Sequence, residues 1–137
     1  MQVEGEEAPR GDDAEIGGPA ADHARVLRNI SRAIVELYKV QFGRGPETVS
    51  SRFAGPDTLI TLLGNTLTPV ERTMRDMGEE QRLRDIRMMF QYATEEKFRA
   101  IVEEMTGRQV VAFISGIDVL RDVSCEVFTL LPASEAP

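Results

Sequence analysis

One histidine and one cysteine are all that this chain of 137 residues offers of the side chains that most often hold metals or act as nucleophiles and bases. Cys125 has no partner for an internal disulfide, which fits a reducing compartment. A catalytic zinc needs about three nitrogen, sulfur or carboxylate ligands around an open position, and His23 and Cys125 are too few to build such a set. Ser115, Ser124 and Cys125 have no histidine base in the expected folded part, so nucleophilic catalysis lacks its usual partner. The reading is a chain with no catalytic residues, no metal and no cofactor, and not an enzyme. Nor is there a run of about 18 apolar residues to span a membrane, or a basic start and apolar centre to mark a secretory signal. The expectation is a soluble, cytoplasmic protein without direct membrane insertion.

What is present is unevenly spread. Residues 1–22 carry Glu4, Glu6, Glu7, Asp12, Asp13, Glu15 and Asp22 against Arg10 alone, which accounts for nearly all of the formal charge of −7. Residues 1–21 are rich in Gly, Pro, Ala and acid, with too little apolar surface to offset the entropy of ordering, and read as a disordered acidic tail. Residues 22–132 read as a single domain, and 133–137 as a flexible end.

Within that domain, Val26, Leu27, Ile30, Ile34, Leu37 and Tyr38 recur at three- and four-residue spacing and predict a first amphipathic helix, capped by Asp22 and ended near Phe42 by Gly43, Gly45 and Pro46. Thr48 to Phe53 and Thr58 to Leu63 are β-rich runs around Ala54-Gly-Pro-Asp57, a hairpin. Thr68-Pro69-Val70-Glu71 has the pattern of a capping box and starts a short helix. After Gly78, Leu83, Ile86, Phe90, Phe98, Ile101, Val102 and Met105 mark one face of a long helix stopped by Gly107. Val110 to Ser115 and Val123 to Leu131 form a second hairpin. The order αββααββ predicts an α+β two-layer sandwich, a mostly antiparallel four-stranded sheet with helices on one face.

With the elements placed, Tyr38-Lys-Val-Gln-Phe-Gly-Arg-Gly-Pro46, Gly64-Asn-Thr-Leu-Thr-Pro-Val-Glu71, Glu104-Met-Thr-Gly-Arg-Gln-Val-Val-Ala-Phe-Ile-Ser115 and Glu126-Val-Phe-Thr-Leu130 together resemble the MpsC-type family over about residues 24–131. That soluble domain is named after a component of a sodium-translocating, membrane-potential-generating system. The resemblance implies association with a membrane system linked to ion movement and inorganic-carbon supply, with a membrane transporter subunit as a candidate partner. It carries over no catalytic residue set. The carbon link does not turn into a zinc carbonic anhydrase, because the ligands are missing.

The residues themselves nominate one small-ligand site. Arg44 stands between Gly43 and Gly45, where backbone N–H groups can approach an anion and a guanidinium can grip a carboxylate or bicarbonate in two places. Arg108, also behind a glycine at a helix end, is the candidate second cation. The plainer reading makes Arg44 part of a helix stop, bonded to a nearby acid or carbonyl. Arg72, Arg75, Arg82, Arg84 and Arg87 interleave with Asp76, Glu79, Glu80 and Asp85 and read as a solvated, salt-bridged face rather than a nucleic-acid surface. Phe53, Tyr92, Phe98, Phe113 and Phe128 read as packing residues. Of Met74, Met77, Met88, Met89 and Met105, most are expected in the core. His23 reads as a solvated residue and Cys125 as a small buried hydrophobe. A sheet covered on one face leaves another face to protect, which predicts a homodimer.

Overall fold

The computed structural model describes residues 19–132. Most of the expected acidic tail and the expected flexible end at 133–137 therefore lie outside the described residues. Helix α1 spans Pro19–Phe42, so it begins before Asp22, which falls in its first turn rather than at the cap. Its apolar stripe delivers Ile30, Ile34 and Tyr38 to the core. Strands β1 (Thr48–Phe53) and β2 (Thr58–Gly64) form the first hairpin, and β3 (Val110–Asp118) and β4 (Val123–Leu130) the second. All pairings are antiparallel, and the sheet order is β1-β2-β4-β3. The second hairpin thus docks through β4 against β2, and β1 and β3 are the edges.

Between the hairpins lie α2 (Pro69–Asp76), α3 (Glu80–Ala93) and α4 (Glu95–Thr106). The long helix expected after Gly78 is thus two helices. The break sits at Thr94, whose hydroxyl donates to the Phe90 carbonyl at 3.0 Å and accepts from Gln41 Nε2 at 2.7 Å. A threonine hydroxyl returned to the preceding turn competes with the helical ladder and bends it. The capping box at α2 forms as predicted: Thr68 N donates to Glu71 Oε1 at 2.8 Å and Glu71 N to Thr68 Oγ1 at 3.3 Å.

One sheet face is covered. Leu59, Leu63, Phe113, Phe128 and Leu130 on alternate strand positions meet Ile30, Ile34 and Tyr38 of α1 and Phe98 and Val102 of α4 in one core. A smaller cluster of Leu67, Leu83 and Val119, with Met74 and Ile117 against it, seats α2 and α3 at the sheet's end. Each fully buried large apolar side chain contributes about 1.5–3 kcal/mol. Gly64 closes β2 where it faces Thr48, and any side chain there would collide with the Thr48 hydroxyl.

Candidate functional site

The segment Gly64–Glu71 is a junction to which four other parts of the chain bond. Asn65 takes a left-handed conformation (φ 58°), which asparagine tolerates, and turns the chain toward Asp122. The buried Asp122 carboxylate accepts from Thr66 N at 2.8 Å and from Leu67 N at 3.1 Å. The carbonyls of the same two residues receive arginines: Arg87 Nη2 reaches Thr66 O at 3.0 Å, and Arg44 Nη1 and Arg72 Nη1 reach Leu67 O at 2.7 and 2.8 Å. Glycine is required nearby at Gly43 (φ 81°), where the chain leaves α1 and aims Arg44 at Leu67.

Arg87 corrects the sequence reading. Its side chain is 1% exposed, not part of a solvated face, and it holds Glu71 in a two-pronged pair: Nε to Oε2 at 2.7 Å and Nη2 to Oε1 at 2.6 Å. Its guanidinium lies 3.8 Å from the centre of the Phe42 ring. Burial works to raise the Glu71 carboxyl, but the bonds from Arg87 and Thr68 outweigh it and hold the group below the ordinary carboxylate range. Arg75 and Arg82, by contrast, make the expected exposed pairs with Asp76 and Glu79.

Deeper in the same layer lies a polar cluster that the sequence reading missed. Tyr38 Oη donates to Glu126 Oε2 at 2.5 Å, and Gln91 Nε2 donates to that same oxygen at 2.8 Å. Glu126 is fully buried and Gln91 nearly so. Burial pushes the Glu126 carboxyl up to about 7, against the opposing effects of the Tyr38 hydroxyl, the facing Ser115 hydroxyl, the Gln91 amide and the charge of Arg87. Burial and the Glu126 charge together push the Tyr38 hydroxyl well above its usual value. Glu126 Oε1, Gln91 Oε1 and Ser115 Oγ have no hydrogen-bond partner among the described residues. Ser115 stands directly across from Glu126 in the β3–β4 register. Among the described residues, the Ser115 hydroxyl and a proton on Glu126 Oε1 are the donors available to these three unpaired oxygens.

The nominated ligand residues do not come together. Arg44 is held at the open end of the first hairpin, beside Leu67. Arg108 is at the turn end, where it pairs with Asp57 at 2.6 Å and donates to the carbonyls of Pro56 and Leu131. The six-residue strand β1 separates them, about 20 Å at 3.3 Å per residue. The cation beside Arg44 is Arg72. Gly45 makes the loop's close approach to α1, where a side chain would press on Lys39 and Val35.

His23 is exposed as expected, with its ring 5.0 Å from that of Phe53. Cys125 is half-buried on the outer sheet face rather than in the core, because strand alternation puts Ser124 and Glu126 inward. The methionines also depart from expectation. Met77 and Met89 are exposed, and Met74, Met88 and Met105 only half-buried, because the core is filled by Leu, Ile, Val and Phe. Phe98, Phe113 and Phe128 pack together as predicted. The described residues contain no cluster of His, Cys, Asp or Glu suited to a metal, and no helix among them is long and apolar enough to cross a membrane.

Among the described residues, no helix covers the outer face of the sheet. Register aligns Arg52, Ile60, Val127 and Ile114 in one row across it, and Ser50, Leu62, Cys125 and Gly116 in the next. Leu62 is 49% and Ile114 54% exposed. The centre is apolar, and Arg52 lies on the edge strand.

A family model described as "Na+-translocating membrane potential-generating system (MpsC)" matches residues 23–131. Neither the comparison with curated proteins nor that with solved structures gave a match.

Proposed function

The chain belongs to the MpsC family, and from that premise we propose that it is a non-enzymatic, cytoplasmic protein-association domain that pairs as a homodimer and serves as an accessory to a membrane ion or bicarbonate transport system. The observation that carries the reading is the sheet face that no described residue covers. Ile60, Leu62, Ile114 and Val127 lie side by side with no charge between them. A contiguous apolar patch rimmed by polar groups is where protein association gains most from water release. A two-fold axis would set this face against itself and cover both copies at once. Sedimentation equilibrium at micromolar concentration tests it. The wild type is expected to sediment as a dimer, and Leu62→Glu, which places a carboxylate at the centre of each face, to weaken association at least tenfold without unfolding the chain. A wild type that stays monomeric, or a Leu62→Glu protein that dimerises equally well, would overturn the reading.

One observation favours a second reading, a small-anion site for bicarbonate or a carboxylate centred on Arg44. Arg44 and Arg72 share the Leu67 carbonyl and lie side by side, and neither has a carboxylate within ion-pair distance among the described residues. Paired guanidiniums of this kind suit a carboxylate-shaped anion. Bicarbonate at ten times its dissociation constant would stabilise the native state by about 1.4 kcal/mol and raise the unfolding midpoint by roughly 4–8 °C. The rise should vanish in Arg44→Ala. A midpoint that responds to bicarbonate no more than to chloride removes this reading.

A further inference from the structure

We infer that the free edge of β1 and the flank of α1 form a docking groove for an acidic, extended segment of a partner protein, taken up as a fifth strand. The groove has a volume of about 850 Å³ and is floored by Leu27 and Val35 of α1 and Val49 of β1. Ala54 N donates to the Thr58 carbonyl, which fixes the phase of the β1–β2 ladder. In that phase Thr48, Ser50 and Arg52 turn their backbone groups toward β2, and Val49, Ser51 and Phe53 turn theirs outward. The outward row of N–H and C=O groups is the template that strand addition uses.

The two edges of the sheet are not equivalent. Strand β3 is irregular between Val110 and Ala112, a bulge of the kind that spoils an edge for pairing, whereas β1 holds its register along its length. Charge selects the occupant. Among the described residues the groove is lined by Arg28, Arg32, Lys39 and Arg52 against one acid, Glu36, which is already bonded to Lys39 at 3.2 Å. In a chain of net charge −7 this is a local basic strip. Strand alternation completes the specification. Every second side chain of an added strand would lie beside Val49 and Ser51 against α1, and the others beside Ser50 and Arg52. The fitting segment therefore alternates apolar and acidic residues.

The test titrates a fluorescein-labelled peptide of alternating glutamate and valine with the full chain, using a lysine–valine peptide as control. Saturable binding is expected for the acidic peptide alone, at least tenfold weaker for the exposed-residue variant Arg32→Glu/Arg52→Glu, and weaker as salt rises. Hydrogen exchange on the wild-type complex should show slowed amides at Val49, Ser51 and Phe53, which binding by charge alone would not produce. Three results would overturn the inference: no saturable binding at millimolar peptide, equal binding of the lysine–valine peptide, or unchanged exchange at those amides. Tenfold tighter binding after removal of residues 1–18 would also overturn it, by making the chain's own acidic segment the occupant.

Discussion

Glu126→Gln should become progressively more stable than the wild type as pH rises, with the gap opening between about pH 4.5 and 7. The wild-type carboxyl is raised by burial from 4.5 to about 7. The native state therefore holds its proton through a range in which the unfolded chain has released it. A raised acid makes its full contribution to stability below the unfolded value and loses it as pH climbs through the folded one. At 1.36 kcal/mol per pK unit the loss is about 3 kcal/mol, on the order of 10 °C in Tm for a domain of this size. Glutamine is isosteric with the protonated acid: its oxygen can accept from Tyr38 and Gln91, and its amide can donate where the proton did. It titrates nowhere, so its stability curve lacks this decline. Urea titrations of both proteins at pH 5 and pH 8 give the answer, and a difference in stability that is the same at both values would refute the assignment. Tyr38→Phe makes the companion measurement. Removing the 2.5 Å donor to Glu126 Oε2 takes a bond from the charged form, so the decline should move to higher pH.

Why this group escaped the sequence reading is a matter of distance along the chain. Ser124, Glu126, Phe128 and Leu130 share a strand phase, and that phase is the buried one. A carboxyl in phase with phenylalanine and leucine is itself a signal. What gives it meaning is Tyr38, 88 residues earlier, and no local pattern announces that pairing. The sheet order was illegible for the same reason, since the β2–β4 contact joins the two hairpins across three helices. Local devices were readable because each is complete within a few residues: the Thr68–Glu71 capping box, the hairpin turn at Ala54–Asp57 and the stop at Gly107. Arg87 lies between these cases. Its neighbour Arg82 is solvated and Arg84 half-buried, and the acids interleaved with them made the whole run look exposed. Yet Glu71 was legible as the N3 residue of a helix, and a capping carboxylate that also meets an arginine from the next helix ties α2 to α3. Family resemblance pointed to the Gly64–Glu71 segment without saying why it matters. The structure supplies the reason, since Arg44, Arg72, Arg87 and Asp122 all bond to it.

Arg87→Met is expected to cost about 3–5 kcal/mol at pH 7, the range for breaking a buried ion pair by removing one partner. Methionine keeps the apolar stem that packs near Phe42 but leaves the Glu71 carboxylate without its counter-charge and the Thr66 carbonyl without its donor. Most of the loss should be the stranded charge, and two measurements separate that from lost packing. Adding Glu71→Gln removes the charge while keeping an N3 side chain able to complete the capping box. The double variant should therefore recover part of the deficit, a coupling of opposite sign to simple addition. The second measurement is pH. Glu71 is held below its ordinary value, so its pair contributes stability that is present above that value and lost as pH falls through the folded one. The deficit of Arg87→Met should accordingly shrink under acid conditions that protonate Glu71 in both proteins, opposite in direction to the Glu126 effect. A deficit that stays constant from pH 7 down to the acid limit of the folded state, with no recovery in the double variant, would mean that Arg87 acts through packing and its bond to Thr66 rather than through charge. Arg87 also lowers Glu126, so its removal should push the Glu126 decline to higher pH, joining the two buried clusters through one guanidinium.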